Sequence, residues 1–116
     1  MSIQSIEQQR AKYALKKVQA VNPMDYDEWK ARANEIPAMI QMNGLGQTVA
    51  FYLSKGSVHK QMYDLLSEWL CKEMKIYPDM GLMNGITTQD MSTYRIAQAE
   101  AQALLIWVKK FSKAYC

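Results

Sequence analysis

The chain has 116 residues, 49% of them hydrophobic and 22% charged, which suits one folded domain and excludes a disordered chain. The chain has two cysteines, too few for a disulfide framework, which suggests free thiols in a cytoplasmic protein. No apolar run approaches the ~20 residues that a membrane helix needs. Helix-favouring residue types far outnumber β-branched ones, so we expect an all-α fold. The predicted architecture is a compact single-domain helical bundle of about five to six helices over residues 1–116.

The first two predicted helices are separated by a proline. Helix one covers residues 2–20 and ends before Pro23, because the residue before a proline avoids helical backbone. Its apolar stripe comprises Ile3, Ala11, Ala14, Leu15, Val18 and Val21. The second helix contains Pro37, which predicts a kink or a break near residues 34–36. It ends at Gly44, where glycine permits the left-handed backbone of a helix terminus.

The middle of the chain predicts two further helices and a loop. A short helix covers residues 46–55, and we expect its inward side chains to be Val49, Phe51 and Leu53. The fourth helix covers residues 57–75. Residues 79–87 follow Pro78 and contain Gly81 and Gly85, so this stretch is predicted to be the most loop-like part of the chain.

The last helix has the strongest periodicity. It is expected to begin between residues 88 and 91 and to run to residue 114. A seam with alternating spacings of three and four comprises Tyr94, Ala97, Ala101, Leu104, Val108, Phe111 and Tyr115. Residues 104–108 are apolar on every side of the helix, which predicts a central position in the bundle and a core role for Trp107.

Charge is distributed unevenly along the chain. Residues 1–21 and residues 104–116 each carry a net charge of +3, whereas residues 22–103 carry −3. If the terminal helices are neighbours, their bases form one patch that suits nucleic acid. The alternative interpretation is two ordinary solvated helix faces.

The residue types for catalysis are sparse. One histidine and two widely spaced cysteines do not supply four zinc ligands, so no metal is expected. His59 is expected to be a surface side chain. Glu100 has no basic neighbour one helical turn away, so it requires a tertiary partner such as Arg95, Arg32 or a residue of another chain. A structural ion pair is the preferred interpretation, and a hydrolase built on Glu100 or His59 is the enzymatic alternative.

Three passages together resemble a known family. Residues 29–55 read WKARANEIPAMIQMNGLGQTVAFYLSK, and residues 94–111 read YRIAQAEAQALLIWVKKF. The opening helix contains QQRAKYALKKV. In order and spacing, these passages resemble the small subunit of the type III-B CRISPR RNA-targeting complex, the Cmr complex.

The resemblance implies an all-helical subunit without a catalytic site, a metal or a cofactor. It further implies that several copies stack into a minor filament beside larger backbone subunits, which hold the guide RNA and cleave the target. The small subunit is then expected to line the channel for the guide–target duplex. The implied partners are other Cmr subunits, further copies of this chain, CRISPR guide RNA and target RNA, with no membrane.

RNA contacts in this family come from basic surface residues. We therefore predict that the RNA backbone is bound by Arg10, Lys16, Lys17, Lys55, Lys109, Lys110 and Lys113. The alternative from another class is a helical scaffold or regulator that binds only protein. Such a protein would use its Met- and aromatic-rich face and leave the lysines solvated.

Overall fold

The computed structural model describes residues 3–116, and every regular element in that range is helical. The elements are α1 (Ile6–Gln19), a 3₁₀ turn (Pro23–Asp25), α2 (Tyr26–Lys55), α3 (Ser57–Ser67), a π-helical segment (Glu68–Glu73), α4 (Leu82–Thr88) and α5 (Met91–Tyr115). The helices enclose one hydrophobic core. The predicted all-α bundle is therefore confirmed.

Helix α1 begins later than the sequence predicted. Ser5 caps it by accepting a hydrogen bond from the Gln8 amide, and the Gln8 side chain accepts one from the Ser5 amide. This capping box fixes the first turn at Ile6. The predicted start at Ser2 lies outside the described residues. Ile3, placed on the apolar stripe, is 95% exposed because it precedes the helix.

The helical geometry of α2 is interrupted at a glycine, and its backbone stays helical at the proline. Only Gly44, with φ 85° and ψ 160°, departs from helical backbone between residues 26 and 55, so the predicted break near Pro37 is wrong. Two side chains of α5 stabilise the interruption. The Leu45 amide donates to Gln98 Oε1 at 2.9 Å, and the Gly46 amide donates to the Tyr94 hydroxyl at 2.8 Å. Amides that lose helical partners at the interruption are thereby satisfied.

The inward face of residues 45–55 differs from the prediction. Val49 is buried as expected, but Phe51 and Leu53 are 40% and 38% exposed. The buried positions are instead Leu45, Thr48, Val49 and Tyr52. These residues follow the three-to-four spacing of one helix face, whereas Phe51 and Leu53 lie to either side of it.

The fourth predicted helix is present, but its last part changes geometry. After α3 the backbone forms a π-helical segment, in which the Met74 amide donates to the Trp69 carbonyl five residues earlier. The wider turn ends near the predicted limit at Lys75. It places Trp69 in the core, with its indole directed at α5.

Residues 79–87 are largely helical, which corrects the predicted loop. Helix α4 occupies Leu82–Thr88 and buries Leu82 and Gly85. Gly85 lies against the fully buried ring of Tyr77: an added Cβ would be 2.4 Å from Tyr77 Cγ. Close packing explains this glycine better than a turn does.

Helix α5 confirms the predicted element and most of its seam. Asp90 caps its start by accepting from the Thr93 amide at 2.8 Å. The buried part of the seam consists of Ala97, Ala101, Leu104 and Val108. The expectation that all sides are covered is wrong, because Ile106 is 56% exposed and Trp107 is only partly buried. The helix has a solvent face along its whole length.

Two further features of the described residues bear on the choice of protein class. No helix between residues 3 and 116 combines the length and hydropathy needed to cross a bilayer. Cys71 and Cys116 are both free thiols, as the sequence predicted.

Candidate nucleic-acid interface

The two terminal helices are neighbours, joined by a buried ion pair. Arg10 of α1 donates from Nε to Glu100 Oε2 at 2.7 Å and from Nη2 to Glu100 Oε1 at 2.8 Å. Trp69 Nε1 donates to the same carboxylate at 3.0 Å. The Arg10 and Glu100 side chains are 16% and 9% exposed. This bidentate geometry anchors α1 to α5 and to the π-helical segment.

The charges of this pair are stabilised by each other. Burial of the Glu100 carboxyl favours its neutral form, but hydrogen bonds from Arg10 and Trp69 outweigh burial and lower its pKa. The hydrogen bond to Glu100 likewise raises the pKa of Arg10. A carboxylate held in its charged form by a guanidinium is a structural anion and is poorly suited to donate a proton.

The expected tertiary ion pair of Glu100 is present, but the predicted partners are wrong. Arg95 is exposed, and its Nη2 lies 3.2 Å from Met91 Sδ. Arg32 lies 3.4 Å from Glu35. The true partner, Arg10, is 90 residues away in the chain, where helical spacing gives no signal.

On α1, the predicted RNA-binding residues differ in how free their charges are. The Arg10 guanidinium is occupied by Glu100 and also donates to Glu7. Lys17 forms an ion pair with Glu68 and lies 5.5 Å from the Tyr13 ring centroid. Lys16 is exposed and has no ion-pair partner within the described part of the chain.

On α5, the three predicted lysines have no ion-pair partner among residues 3–116. Lys110 and Lys113 are exposed and Lys109 is partly buried. Lys55 is exposed at the end of α2, with Nζ 5.2 Å from the Phe51 ring centroid. The end of α5 therefore carries the densest unneutralised positive charge among the predicted residues.

An aromatic ladder also lies on α5, and the sequence interpretation placed its rings in the core. Trp107 and Phe111 have ring centroids 5.6 Å apart, and Phe111 and Tyr115 have centroids 6.2 Å apart. Trp107 and Phe111 are partly buried, and Tyr115 is 50% exposed. These rings follow the same helical period as the buried seam, so the spacing of residues alone does not distinguish the two.

His59 is less exposed than expected and has no catalytic arrangement. Its ring lies 5.0 Å from the Tyr52 ring and 6.0 Å from the Phe51 ring. Its Nε2 is 3.0 Å from Arg32 Nη1, and its Nδ1 is 3.9 Å from Glu28. The expected surface histidine is thus partly buried between α2 and α3. None of these described contacts is a serine, threonine or cysteine, so they do not form a Ser–His or Cys–His arrangement of a hydrolase at His59.

A cleft beside the π-helical segment is lined by side chains that include Asp64, Glu68, Cys71 and Lys72. It has a volume of about 720 Å³ and lies between the π-helical segment and residues 78–81. Burial raises the pKa of the Cys71 thiol at its edge, which disfavours the reactive thiolate. Across residues 3–116, no three His, Cys, Asp or Glu side chains are close enough to hold a metal ion.

Comparison with known proteins agrees with the fold. The family model described as CRISPR-associated protein (Cas_Cmr5) matches residues 6–115. The crystal structure of a CRISPR-associated Cmr5 family protein from Thermus thermophilus superposes with a TM-score of 0.80 at 23% sequence identity. The superposition covers 96% of this chain and 97% of that one. The chain therefore belongs to the Cmr5 family, the small Cmr subunits that its sequence resembles.

Proposed function

We propose that this chain is the non-catalytic small subunit of a type III-B CRISPR effector complex, where it helps hold the guide–target RNA duplex by backbone contacts. In this role it stacks with further copies in a minor filament and serves antiviral defence in the cytoplasm. The observation that carries the proposal is the unneutralised basic end of α5, on a chain of the Cmr5 family.

The surface of α5 has the features that this role requires. Binding to phosphates requires Lys or Arg side chains on a rigid support and no readout of base sequence. In guide-directed complexes, base pairing supplies the sequence specificity, so the proteins of the channel recognise backbone and shape. Lys109, Lys110 and Lys113 project from a helix whose opposite face is fixed in the core.

The pairing of charges ranks the predicted residues. Lys16, Lys55, Lys109, Lys110 and Lys113 have no ion-pair partner within residues 3–116, so their charges are available to phosphate. Lys17 would have to leave Glu68, and Arg10 would have to leave Glu100. We therefore assign the leading role to the α5 lysines and treat Arg10 as an anchor of the interface.

A protein-only scaffold is the second candidate, and one observation favours it. Several large apolar side chains are well exposed, including Met24 at 91%, Met42 at 81% and Ile96 at 59%. Exposed apolar side chains of this size suit a protein contact. Stacking between copies needs such a surface too, so the two roles differ only in whether the lysines contact RNA.

The RNA-binding role predicts a specific loss when the α5 charges are removed. In a reconstituted complex, changing Lys109, Lys110 and Lys113 together to Gln should weaken target RNA binding by a similar factor for every target sequence. Each lost phosphate contact should also flatten the log–log salt dependence by about 0.7 to 0.9. The affinity should be measured by filter binding at several salt concentrations. Melting should barely change, because exposed charges contribute little to stability.

A matched control is a triple variant at lysines outside the predicted set: the exposed Lys72 and Lys75, and Lys60, which forms an ion pair with Asp64. It removes the same charge, and its affinity should stay close to wild type. Unchanged affinity and salt slope for the α5 variant, in a complex that contains it, would contradict the proposed contact. Failure of that variant to enter the complex would assign these lysines to subunit stacking instead.

The absence of a catalytic role is tested separately. The purified chain should not cleave RNA in the presence or absence of a divalent cation, because Glu100 is held by Arg10 and His59 Nε2 is held by Arg32. A gel assay with labelled RNA measures this. Cleavage that survives repurification and disappears in Glu100→Gln or His59→Ala would show that the chain is an enzyme.

A further inference from the structure

A small cleft lies on α2, across the interruption of the helix at Gly44. Its volume is about 200 Å³, and its walls consist of Met39, Asn43, Gln47, Thr48 and Phe51. Except for Thr48, these residues are spaced by four, so successive turns on one side of the helix form the cleft. The volume lies below the range of about 300–1,000 Å³ for sites that hold drug-sized molecules, so the cleft suits a single ring.

Hydrogen-bonding groups line the middle of this α2 cleft. Asn43 and Gln47 are exposed, and each side-chain amide can both donate and accept. The hydroxyl of Thr48 has no hydrogen-bond partner within residues 3–116, although the residue is only 1% exposed. Buried hydroxyls are normally paired, so an unpaired hydroxyl in the wall of a cleft points to a polar ligand group there.

One end of the α2 cleft carries an aromatic ring with an ammonium group beside it. Phe51 is 40% exposed, and Lys55 Nζ lies 5.2 Å from its ring centroid. Lys55 has no ion-pair partner in the described part of the chain. None of the five lining residues is acidic, and residues 36–63 contain neither Asp nor Glu. The contact of Lys55 with Phe51 therefore adds an unopposed positive charge to the surface that forms the cleft.

We infer that the α2 cleft binds one unpaired base of an RNA strand, with the base against Phe51 and the two amides and its phosphate on Lys55. Side-chain amides bind base edges that present one donor and one acceptor, and unpaired bases also stack on aromatic side chains. The inference rests on the proposed RNA-binding role. It adds a base contact to that role, on a different helix from the α5 lysines.

A protein side chain would use only part of this surface. A neutral amide or hydroxyl of a partner would bond to Asn43 and Gln47 but leave the ammonium of Lys55 unused. A carboxylate would pair with Lys55 but offer no flat surface to Phe51. A nucleotide carries a flat neutral ring with donors and acceptors, linked to an anion. It is therefore the ligand that matches the ring, the amides and the charge together.

The test compares two fluorescein-labelled strands on the full chain by fluorescence anisotropy, at about 50 mM salt, where weak non-specific binding is measurable. One is an oligoadenylate of about eight nucleotides, because Asn and Gln amides match the edge of adenine. The other is an abasic strand of the same length. Both carry the same phosphates, so a difference in affinity reports on the bases. We expect the oligoadenylate to bind about fivefold or more tightly than the abasic strand.

Two variants at exposed positions separate the base contact from the charge. Gln47→Met keeps the length and helix propensity of the side chain and removes its amide. It should weaken oligoadenylate binding by about 2- to 12-fold and leave binding of the abasic strand unchanged. Lys55→Gln should weaken binding of both strands by the same factor, because both have phosphates. Gln41→Met, on the same helix outside the cleft, is the matched control and should change neither affinity.

Four results would overturn the base site. Equal affinity of wild type for the two strands would mean backbone contact only and would leave the proposed function intact. Equal loss in Gln47→Met and Gln41→Met would place the base contact outside the cleft. No binding of either strand at about 100 µM protein would remove the site from the chain, while the α5 lysine variant in the complex would still decide the proposed function. Failure of Gln47→Met to enter the complex, with both affinities unchanged, would make the cleft a protein contact.

Discussion

Replacing Glu100 with Gln is expected to lower the free energy of unfolding by about 3 kcal/mol, the lower end of the range for removing one partner of a buried ion pair. The variant leaves the Arg10 guanidinium without its bidentate partner in a site where both side chains are largely buried. The effect stays at the lower end because Gln can still accept one hydrogen bond and Glu7 remains on the guanidinium. Urea unfolding followed by circular dichroism measures the change.

The matched control is Glu68→Gln, at the other ion pair that joins α1 to the rest of the protein. The Lys17 and Glu68 side chains are 32% and 39% exposed, so the loss should not exceed about 1 kcal/mol. Equal losses in the two variants would mean that the Glu100 pair is an ordinary surface contact, and the anchoring role assigned to it would be wrong.

The stability of wild type and that of Glu100→Gln should depend differently on pH in acid. Since the folded-state pKa of Glu100 is lowered, its stabilising contribution is present above the ordinary carboxyl pKa of about 4.3. That contribution is lost as the pH falls through the lower folded-state pKa. Wild type should therefore lose stability more steeply than Glu100→Gln below a pH of about 4. If wild type and Glu100→Gln lose stability equally steeply in acid, the pKa of Glu100 is not lowered in the folded protein.

This ion pair also connects stability to the proposed function. It holds α1 against α5, so the basic residues of both helices are carried by one rigid unit. A basic side chain on a fixed helix loses less conformational freedom on binding phosphate than one on a mobile segment. Arg10 therefore contributes to the proposed interface by holding α1 against α5, and this role does not require contact with RNA.

Local signals predicted the helices well wherever neighbours in sequence decide the structure. The three-to-four seam predicted α5, and the glycine at position 44 predicted the interruption of α2. Pro37 was misleading because a proline removes only one helical hydrogen bond, a loss that tertiary packing can offset. Gly44 ends the helical geometry because its positive φ is itself non-helical.

Tertiary contacts account for the features that the sequence did not predict. The partner of Glu100 is on another helix, 90 residues away, so no spacing rule could identify it. The composition of residues 79–87 suggested a loop, yet α4 forms there because Leu82 and Gly85 pack against the core.

In the candidate site, too, some features follow from the sequence and others depend on tertiary contacts. The RNA contacts stay a prediction, although α1 and α5 are neighbours, as a shared basic patch requires. The sequence identified the basic residues, because charge is a property of residue type. It could not show which charges are paired, so Arg10 and Lys17 ranked with the free lysines. It also could not separate the half-exposed rings from the buried seam, because both follow the same period.

Replacing Gly85 with alanine is expected to destabilise the protein by about 1–3 kcal/mol, the usual cost of overpacking a core. Helix propensity alone predicts the opposite sign, because alanine favours a helix by about 1 kcal/mol over glycine. The added Cβ would lie 2.4 Å from Tyr77 Cγ and 2.8 Å from Tyr77 Cβ. Rotation about the side-chain bonds of Tyr77 cannot move its Cβ, so relief requires a backbone shift of a fully buried residue.

Asn84→Ala, at the exposed position next to Gly85 in the same helix, separates packing from propensity. That change adds helix propensity without adding volume to the core, so its effect should stay within about 0.5 kcal/mol of zero or be slightly stabilising. Thermal melts of both variants against wild type measure the contrast. If Gly85→Ala melts at or above wild type, helix propensity outweighs the contact, and Tyr77 is not held against α4 as tightly as its burial indicates.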